Sequence, residues 1–399
     1  MGGKSKTFIQ VFILCTTLCY FASSTPVTSE QQKFDNALDY FGKNIFSEIS
    51  KTKNNSNIIV SPFSIQTCLA MTRMGADGGT ADEMDKVLGF DNLSPESVAQ
   101  NFHSILAKYE KSDILKLANK VYVAKGLELL EEYNQVLSGK FFSSADSLDF
   151  ADTDNSVKVV NDWVANKTEN MIVDFMPPKS LSPDAVLVLL SAIYFQGQWK
   201  KPFNPAHTKE AEFFIDDNHS VQWPMMQGFK RAEYARYKDL EASALRLPYK
   251  DSDISMMIIL PNSRNGLSAL MEKLKNTQLK TLTQSLRFHG ASIDVLLPKF
   301  KAELKLDLKE VLQKMNLNSI FSHPNFSKMF SNPGDLKVEK VIHQAVIEVD
   351  EVGTKAAAVT LLEAVTLSMP IEFKANHPFY YVIMNSDAVP LFEGTFMGV

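Results

Sequence analysis

Cysteine is nearly absent from this 399-residue chain: Cys15 and Cys19 fall in an apolar N-terminal run, and only Cys68 lies beyond it. A chain that loses that run can form no internal disulfide, so its stability must come from packing. Cys68 stands in an apolar, helix-like stretch and reads as a small core residue rather than a reactive thiol. Catalytic and metal-binding signatures are missing too. There is no Cys-x-x-Cys pair, His-Glu-x-x-His, Gly-x-Ser-x-Gly elbow or phosphate loop, so no metal and no cofactor is expected. Gly75 to Gly79 lacks the Lys-Ser/Thr that would follow a phosphate cradle and reads as a turn. Asp149, Asp152 and Asp154 lack the twelve-residue calcium pattern and read as a solvated loop. Positive charge is in deficit, 41 Lys and Arg against 46 Asp and Glu, which argues against nucleic acid as a partner. Beyond the N-terminus no apolar run is long enough to span a bilayer; Ala185 to Phe195 is among the longest. Linkers, repeats and low-complexity segments are also lacking. With 45% hydrophobic residues a large core is within reach, and length alone would permit two domains or more.

What is present begins with an address. Lys4 and Lys6 precede the apolar run Phe8 to Phe21, which ends in Ala22-Ser23-Ser24. That order predicts a secretory signal over residues 1–24, a mature chain over 25–399 and an extracellular location. Loss of the two lysines takes the net charge from −5 to −7. Asn-x-Ser/Thr sequons at Asn54, Asn92, Asn166, Asn218 and Asn325 suit an exported glycoprotein, with Asn92 disfavoured by Pro95 after its serine. Lys108, Lys111, Lys116 and Lys120 are interrupted by Glu110 and Asp113, so a solvated face is expected there rather than a site for sulfated polysaccharide.

Phe34, Leu38, Phe41, Ile45 and Ile49 recur at helical steps and predict a helix over Gln31 to Lys51. Ser61-Pro62 and Ser94-Pro95 are helix starts, serine capping and proline first. Strands are predicted over Lys120–Ala124, Val186–Trp199, Ser255–Leu260, Ile293–Phe300, Tyr380–Met384 and Leu391–Phe396. Further helices are predicted over Leu127–Leu137 and Leu306–Met315. Val157–Ile172 carries Asn161-x-Trp163-Val164 and Thr168.

The stretch from Glu351 to Pro370 does not fit one state. Ala345 to Asp350 alternates as a strand, after which come Gly353 and the small residues Thr354, Ala356, Ala358 and Thr360 on one parity, with Lys355 on the other. Such a segment suits a strand in a crowded sheet, yet Ala356-Ala357-Ala358 and a glycine hold an isolated strand poorly. An exposed connection is the ordinary alternative, although about 20 residues without structure of their own usually mark a functional segment.

Here the chain resembles a family. Glu351-x-Gly353-Thr354-x-Ala356-Ala357-Ala358-x-Thr360 is similar to the hinge of inhibitory serpins, and Phe373-x-x-Asn376-His377-Pro378-Phe379 to the signature after their reactive loop. Tyr194-Phe195-x-Gly197-x-Trp199, Leu297-Pro298-Lys299-Phe300 and His343-x-Ala345-Val346 are similar too, so the likeness covers nearly all of the chain after the leader. It implies a single α+β domain over residues 25–399, with three β-sheets, about nine helices and an exposed reactive loop near residues 351–370. It implies a suicide substrate for a serine protease, cleaved between Leu367 and Ser368, with Thr366 and Met369 as neighbours if the register shifts. A leucine there implies an extracellular chymotrypsin-like or elastase-like protease with an apolar primary pocket. Ser61, Ser64, Ser191 and His343 correspond to residues that gate the central sheet, although serpins usually carry asparagine where Ser191 stands. A monomer is expected. The rival classes are a serpin that carries or stores a ligand without inhibiting, and a secreted hydrolase, for which no nucleophile context is recognisable.

Overall fold

The computed structural model describes residues 29–53, 56–289, 292–332, 336–352 and 370–399. Helix α1 (Ser29–Thr52) opens it, and Phe34, Leu38, Phe41, Ile45 and Ile49 are all buried, as their spacing requires. A short strand β1 (Ile58–Val60) leads to α2 (Pro62–Met74), α3 (Gly78–Leu88) and α4 (Pro95–Tyr109). Ser61 and Ser94 cap α2 and α4, each hydroxyl accepting from the backbone N–H three residues on. Next come β2 (Leu115–Ala124), α5 (Glu131–Phe141), β3 (Ala145–Leu148), α6 (Thr153–Lys167) and β4 (Leu187–Phe195). Five strands follow: the paired β5 (Lys209–Phe214) and β6 (Ser220–Lys230), then a meander of β7 (Glu233–Tyr237), β8 (Ala242–Pro248) and β9 (Ser255–Pro261). Then α7 (Leu267–Leu274), α8 (Leu279–Ser285), β10 (Arg287–Phe288), β11 (Ile293–Pro298), β12 (Phe300–Asp307) and α9 (Lys309–Lys314). The chain ends with β13 (Val338–Val349), β14 (Ile371–Lys374), β15 (Phe379–Met384) and β16 (Pro390–Phe396).

The strands form three sheets, and the described residues hold nine α-helices, as the α+β reading expected. The seven-stranded sheet runs β1-β16-β15-β9-β8-β7-β10, the four-stranded β14-β11-β6-β5, and the five-stranded β12-β13-β4-β2-β3. In the five-stranded sheet both faces are covered. Every residue of β4 is buried. Leu189, Ile193 and Phe195 enter the main core, while Val188, Leu190, Ala192 and Tyr194 join a second cluster with Val157, Val160 and Val164 of α6. That two-sided burial is why β4 reads as a continuous apolar run rather than an alternation.

Two predicted helices differ in extent. The helix expected from Leu127 starts at Glu131, because Leu127, Leu129 and Leu130 anchor the preceding turn to the core and Leu130 N–H donates to the Met329 carbonyl. The helix expected from Leu306 is only α9, since Leu306 and Asp307 still pair with His343 and Ile342 of β13. Residues 168–172 leave α6 because the Thr168 hydroxyl takes the Val164 carbonyl and accepts from Ile172 N–H, satisfying the helix end with a turn. Asn316, which stops α9 where the likeness suggests glycine, adopts φ 68°, a left-handed conformation that asparagine tolerates.

Candidate functional site

The longest strand, β13, lies beside β4, and the two run parallel: His343 is opposite Ser191 and Ile347 opposite Phe195. Such a pair can be parted by a third strand running antiparallel to both. The chain leaving β13 at Val349 is the segment whose composition suits either loop or strand. Its first residues are tied down firmly. Trp199 donates its indole N–H to the Asp350 carbonyl at 2.8 Å and its backbone N–H to the Val352 carbonyl at 3.0 Å. Phe203 N–H donates to the Glu351 carbonyl at 2.7 Å, and Lys299 Nζ meets Glu351 Oε2 at 2.9 Å. Burial pushes the Glu351 carboxyl up, but the Lys299 ammonium, its own backbone N–H and the Thr208 hydroxyl outweigh this and hold it below the usual range. Trp199 is fixed in turn by stacking on Tyr249, centroids 4.5 Å apart. Gly197 is required beneath this group, since a Cβ there would come within 2.6 Å of both Phe195 and Tyr249. Glu351 is thus the one predicted hinge residue described; Gly353, Thr354, Ala356, Ala357, Ala358 and Thr360, like Leu367 and Ser368, lie outside the described residues.

The four gating candidates meet in one buried cluster halfway along the seam. His343 of β13, Ser191 of β4 and Asn119 of β2 form a single row across three strands. The start of α2 sits on that row. Ser61 N–H donates to His343 Nε2 at 3.0 Å, and Ser191 Oγ lies 3.0 Å from His343 Nδ1 and 2.9 Å from Ser64 Oγ. Ser64 Oγ donates to Asn119 Oδ1 at 3.0 Å. These contacts fix every proton. Nε2 accepts, so Nδ1 carries the hydrogen and donates to Ser191, which donates to Ser64, which donates to Asn119. Serine at 191 therefore bridges β4 to both β13 and α2 with a single hydroxyl. Asn119 was not singled out from sequence, because the predicted strand began at Lys120, five residues after the start of β2. The signal was there: Leu115, Leu117, Val121 and Val123 are apolar on one parity, and Asn119 is the polar interruption.

Burial drives the His343 imidazole down to about 3 from its ordinary 6.5. The native state therefore holds fewer protons than the unfolded chain below about pH 6.5, so acid opposes folding by at most about 1.4 kcal/mol per pH unit between those values. Glu393, pushed up to about 7 by burial on β16, works the other way, since its charged form is the costly one and acidification below pH 7 relieves it. The comparison that isolates the cluster is His343→Gln. Its apparent unfolding midpoint should start lower at pH 8 and fall less between pH 6.5 and 4 than that of the wild type; parallel curves would rule out a neutral imidazole here.

The remaining predicted residues are dispersed. Asn92, Asn166, Asn218 and Asn325 are all exposed, while Asn54 lies outside the described residues. Thr168 of the Asn166 sequon is fully buried, so any glycan there must be added before α6 packs. Lys108 pairs with Asp387, Lys116 with Glu169 and Lys120 with Asp146. Asp152 caps α6 and Asp149 meets Lys125. Burial raises the Cys68 thiol to about 12, an inert core residue. Among the described residues no cluster could hold a metal ion and no helix is long and apolar enough to cross a membrane.

Comparisons with known proteins agree with this architecture. The family model described as Serpin (serine protease inhibitor) matches residues 36–399. Serpin B4 of Homo sapiens is 35% identical over 374 residues, covering 88% of this chain and 96% of that protein. Antichymotrypsin-2 of Bombyx mori is 35% identical over 383 residues, covering 93% and 99%. Among solved structures, one described as cleaved Serpin 42Da is 40% identical with a TM-score of 0.84, covering 93% of this chain and all of that one. With a family model spanning nine-tenths of the sequence, the chain belongs to the serpin family.

Proposed function

We propose that the protein is a secreted inhibitor that traps a serine protease by a suicide mechanism. The protease attacks Leu367, forms an ester between its serine and the leucine carbonyl, and releases the new amino terminus at Ser368. Residues from Gly353 to Leu367 then enter the five-stranded sheet between β13 and β4, carrying the bound protease with them. Fifteen residues at about 3.3 Å each span roughly 50 Å, from one end of the sheet to the other. The observation that carries this reading is the parallel β13–β4 pair, with the candidate segment leaving directly from the end of β13. Insertion exchanges one parallel ladder for two antiparallel ones, which are somewhat stronger per residue and satisfy a whole strand of backbone groups. The gating cluster closes the seam until then. Ser61, Ser64, Ser191, His343 and Asn119 hold both strands to α2, and their hydrogen bonds must rearrange for a strand to pass.

The leader over 1–24 supports export, and leucine at the cleaved bond supports a partner with an apolar primary pocket, such as a chymotrypsin-like protease. Mixing the mature protein with chymotrypsin, elastase and trypsin and running denaturing gels tests all of this. A band that survives boiling in SDS, with release of a fragment beginning at Ser368, is the expected result with chymotrypsin. Cleavage without such a band would sink the trapping mechanism.

A carrier role is the second reading. It is favoured by a cavity of about 560 Å³ between α1, α7 and the ends of β9, β15 and β16, lined by Phe46, Leu267, Met271 and Tyr380. The same gel decides between them, because a carrier need form no covalent complex.

A further inference from the structure

The first described residue after the reactive segment, Pro370, leads into β14, whose first residue, Ile371, stands in one row with Ile293 of β11 and Lys230 of β6. Ile371 is four residues from Leu367. At about 3.4 Å per residue those cannot separate the cleaved bond from this edge by more than roughly 14 Å. A protease of about 230 residues has a radius of gyration of about 17 Å. One that grips Leu367 must therefore cover the neighbouring edge of the four-stranded sheet and the turn that joins it to β7 and β10.

The surface it would cover is unlike the rest of the molecule. The chain as a whole is acidic, with a net charge of −5. At this edge Lys201, Arg231 and Arg287 are exposed, and none has a carboxylate partner among the described residues. The carboxylates close by are already engaged: Glu233 by Arg246, Glu372 by Lys374, and Asp294 by the Gln227 amide. Beside the cations stand Phe288, 70% exposed, and Phe229, 44% exposed. Phe288 pairs with Glu233 of β7 in the seven-stranded sheet and Phe229 with Asp294 of β11 in the four-stranded one, and Arg231 lies in the short link from β6 to β7 that joins the two. Neither has a core to fill; among the described residues the Arg287 guanidinium donates only to the Gln284 and Leu286 carbonyls, and exposed aromatics beside cations that no carboxylate neutralises are the composition of an interface centre rather than of a solvated face.

We infer that this edge is a second docking surface for the trapped protease, selecting enzymes that carry acidic residues beside their active-site cleft. The inference rests on the inhibitor reading and adds to it a partner of stated charge. Attraction at this surface acts before the bond is attacked. It raises the rate of encounter and leaves untouched the later partition between trapping and release.

The test uses chymotrypsin, which is basic, and an acidic form of it made by succinylating chymotrypsinogen before activation. Both are titrated on a small ester substrate so that only active enzyme is counted. At 50 mM NaCl the wild-type protein should associate about tenfold or more faster with the acidic form, and the gap should close by 500 mM. Arg231→Glu with Arg287→Glu should remove the gap at low salt, and Phe288→Ala should slow both enzymes several-fold. The stoichiometry of inhibition should stay unchanged in all variants, which also shows that they fold. Equal association rates for the two enzyme forms, or a charge-reversed variant that behaves as the wild type, would overturn the inference while SDS-resistant complexes still form. Failure of the wild type to form complexes with either enzyme would instead overturn the inhibitor reading, and this inference with it.

Discussion

Replacing Thr354 with arginine is expected to abolish trapping while leaving cleavage at Leu367 fast. Thr354 follows the anchored residues Trp199-bonded Asp350, Glu351 and Val352 by two positions and belongs to the small, uncharged parity that includes Ala356 and Ala358. Where the segment enters between β13 and β4, its inward side chains meet surfaces that are already closed. Ala345, Ile347 and Val349 of β13 and every residue of β4 are buried. An unpaired guanidinium forced into that layer costs several kcal/mol even after relaxation. Insertion competes with hydrolysis of the acyl-enzyme, so a barrier raised by about 4 kcal/mol moves the partition roughly a thousandfold toward release. The measurement is the stoichiometry of inhibition with chymotrypsin, beside the gel. The variant should consume many molecules per enzyme and leave only cleaved product. Thr354→Ser, which keeps size and polarity, should remain an inhibitor. An undiminished complex from the arginine variant would mean that the segment does not enter the sheet through this end.

Leu367→Arg is the second change of large expected effect, and it acts on choice of protease rather than on trapping. Leucine can fill an apolar primary pocket, while the buried aspartate of a trypsin pocket is left unpaired against it; arginine reverses both relations. Association with chymotrypsin should fall and that with trypsin should rise, each by about a thousandfold or more. Because the hinge and the seam are unchanged, the trypsin complex should be as resistant to SDS as the chymotrypsin complex of the wild type. If chymotrypsin is inhibited as before, the cleaved bond lies at a neighbour, and the fragment's first residue then decides between Thr366 and Met369. This result and that for Thr354→Arg are independent, since one concerns the bait and the other the sheet that receives it.

Much of this could be read without coordinates, because local rules and global needs agree over most of the chain. The 3.6-residue recurrence from Phe34 to Ile49 had to become a helix with one buried face. Ser61-Pro62 and Ser94-Pro95 could hardly be anything but helix starts. The composition of Glu351 to Pro370 marked a segment suited to two states, and the motifs around it carried the family. Beyond the apolar N-terminal run Cys68 stands alone, so no internal disulfide joins residues 29–399 to one another and packing carries their stability. Each of these depends on neighbours in sequence, where periodicity and capping chemistry act directly.

What lay beyond the sequence depends on residues far apart in it. Ser61, Asn119, Ser191 and His343 span almost 300 positions, and only the order β13-β4-β2 with its register aligns three of them in a row. That alignment determines which imidazole nitrogen carries the proton, why Ser191 can do with one hydroxyl what an amide would otherwise do, and why Asn119 belongs to the group. The anchoring of Glu351 by Lys299, Trp199 and Phe203 is likewise a product of three strand ends converging. Even the failed boundaries have this origin: Leu306 continues a strand and Leu127 a turn because β13 and the Phe330 segment supply partners that no local propensity encodes. Sequence specified the elements, and the composition that sets residues 351–370 apart, through local periodicity and residue type. Tertiary structure decided the parallel β13–β4 pair, the hydrogen-bonded cluster across it and the cations near β14, since the partners of such groups are defined only once distant strands are brought together.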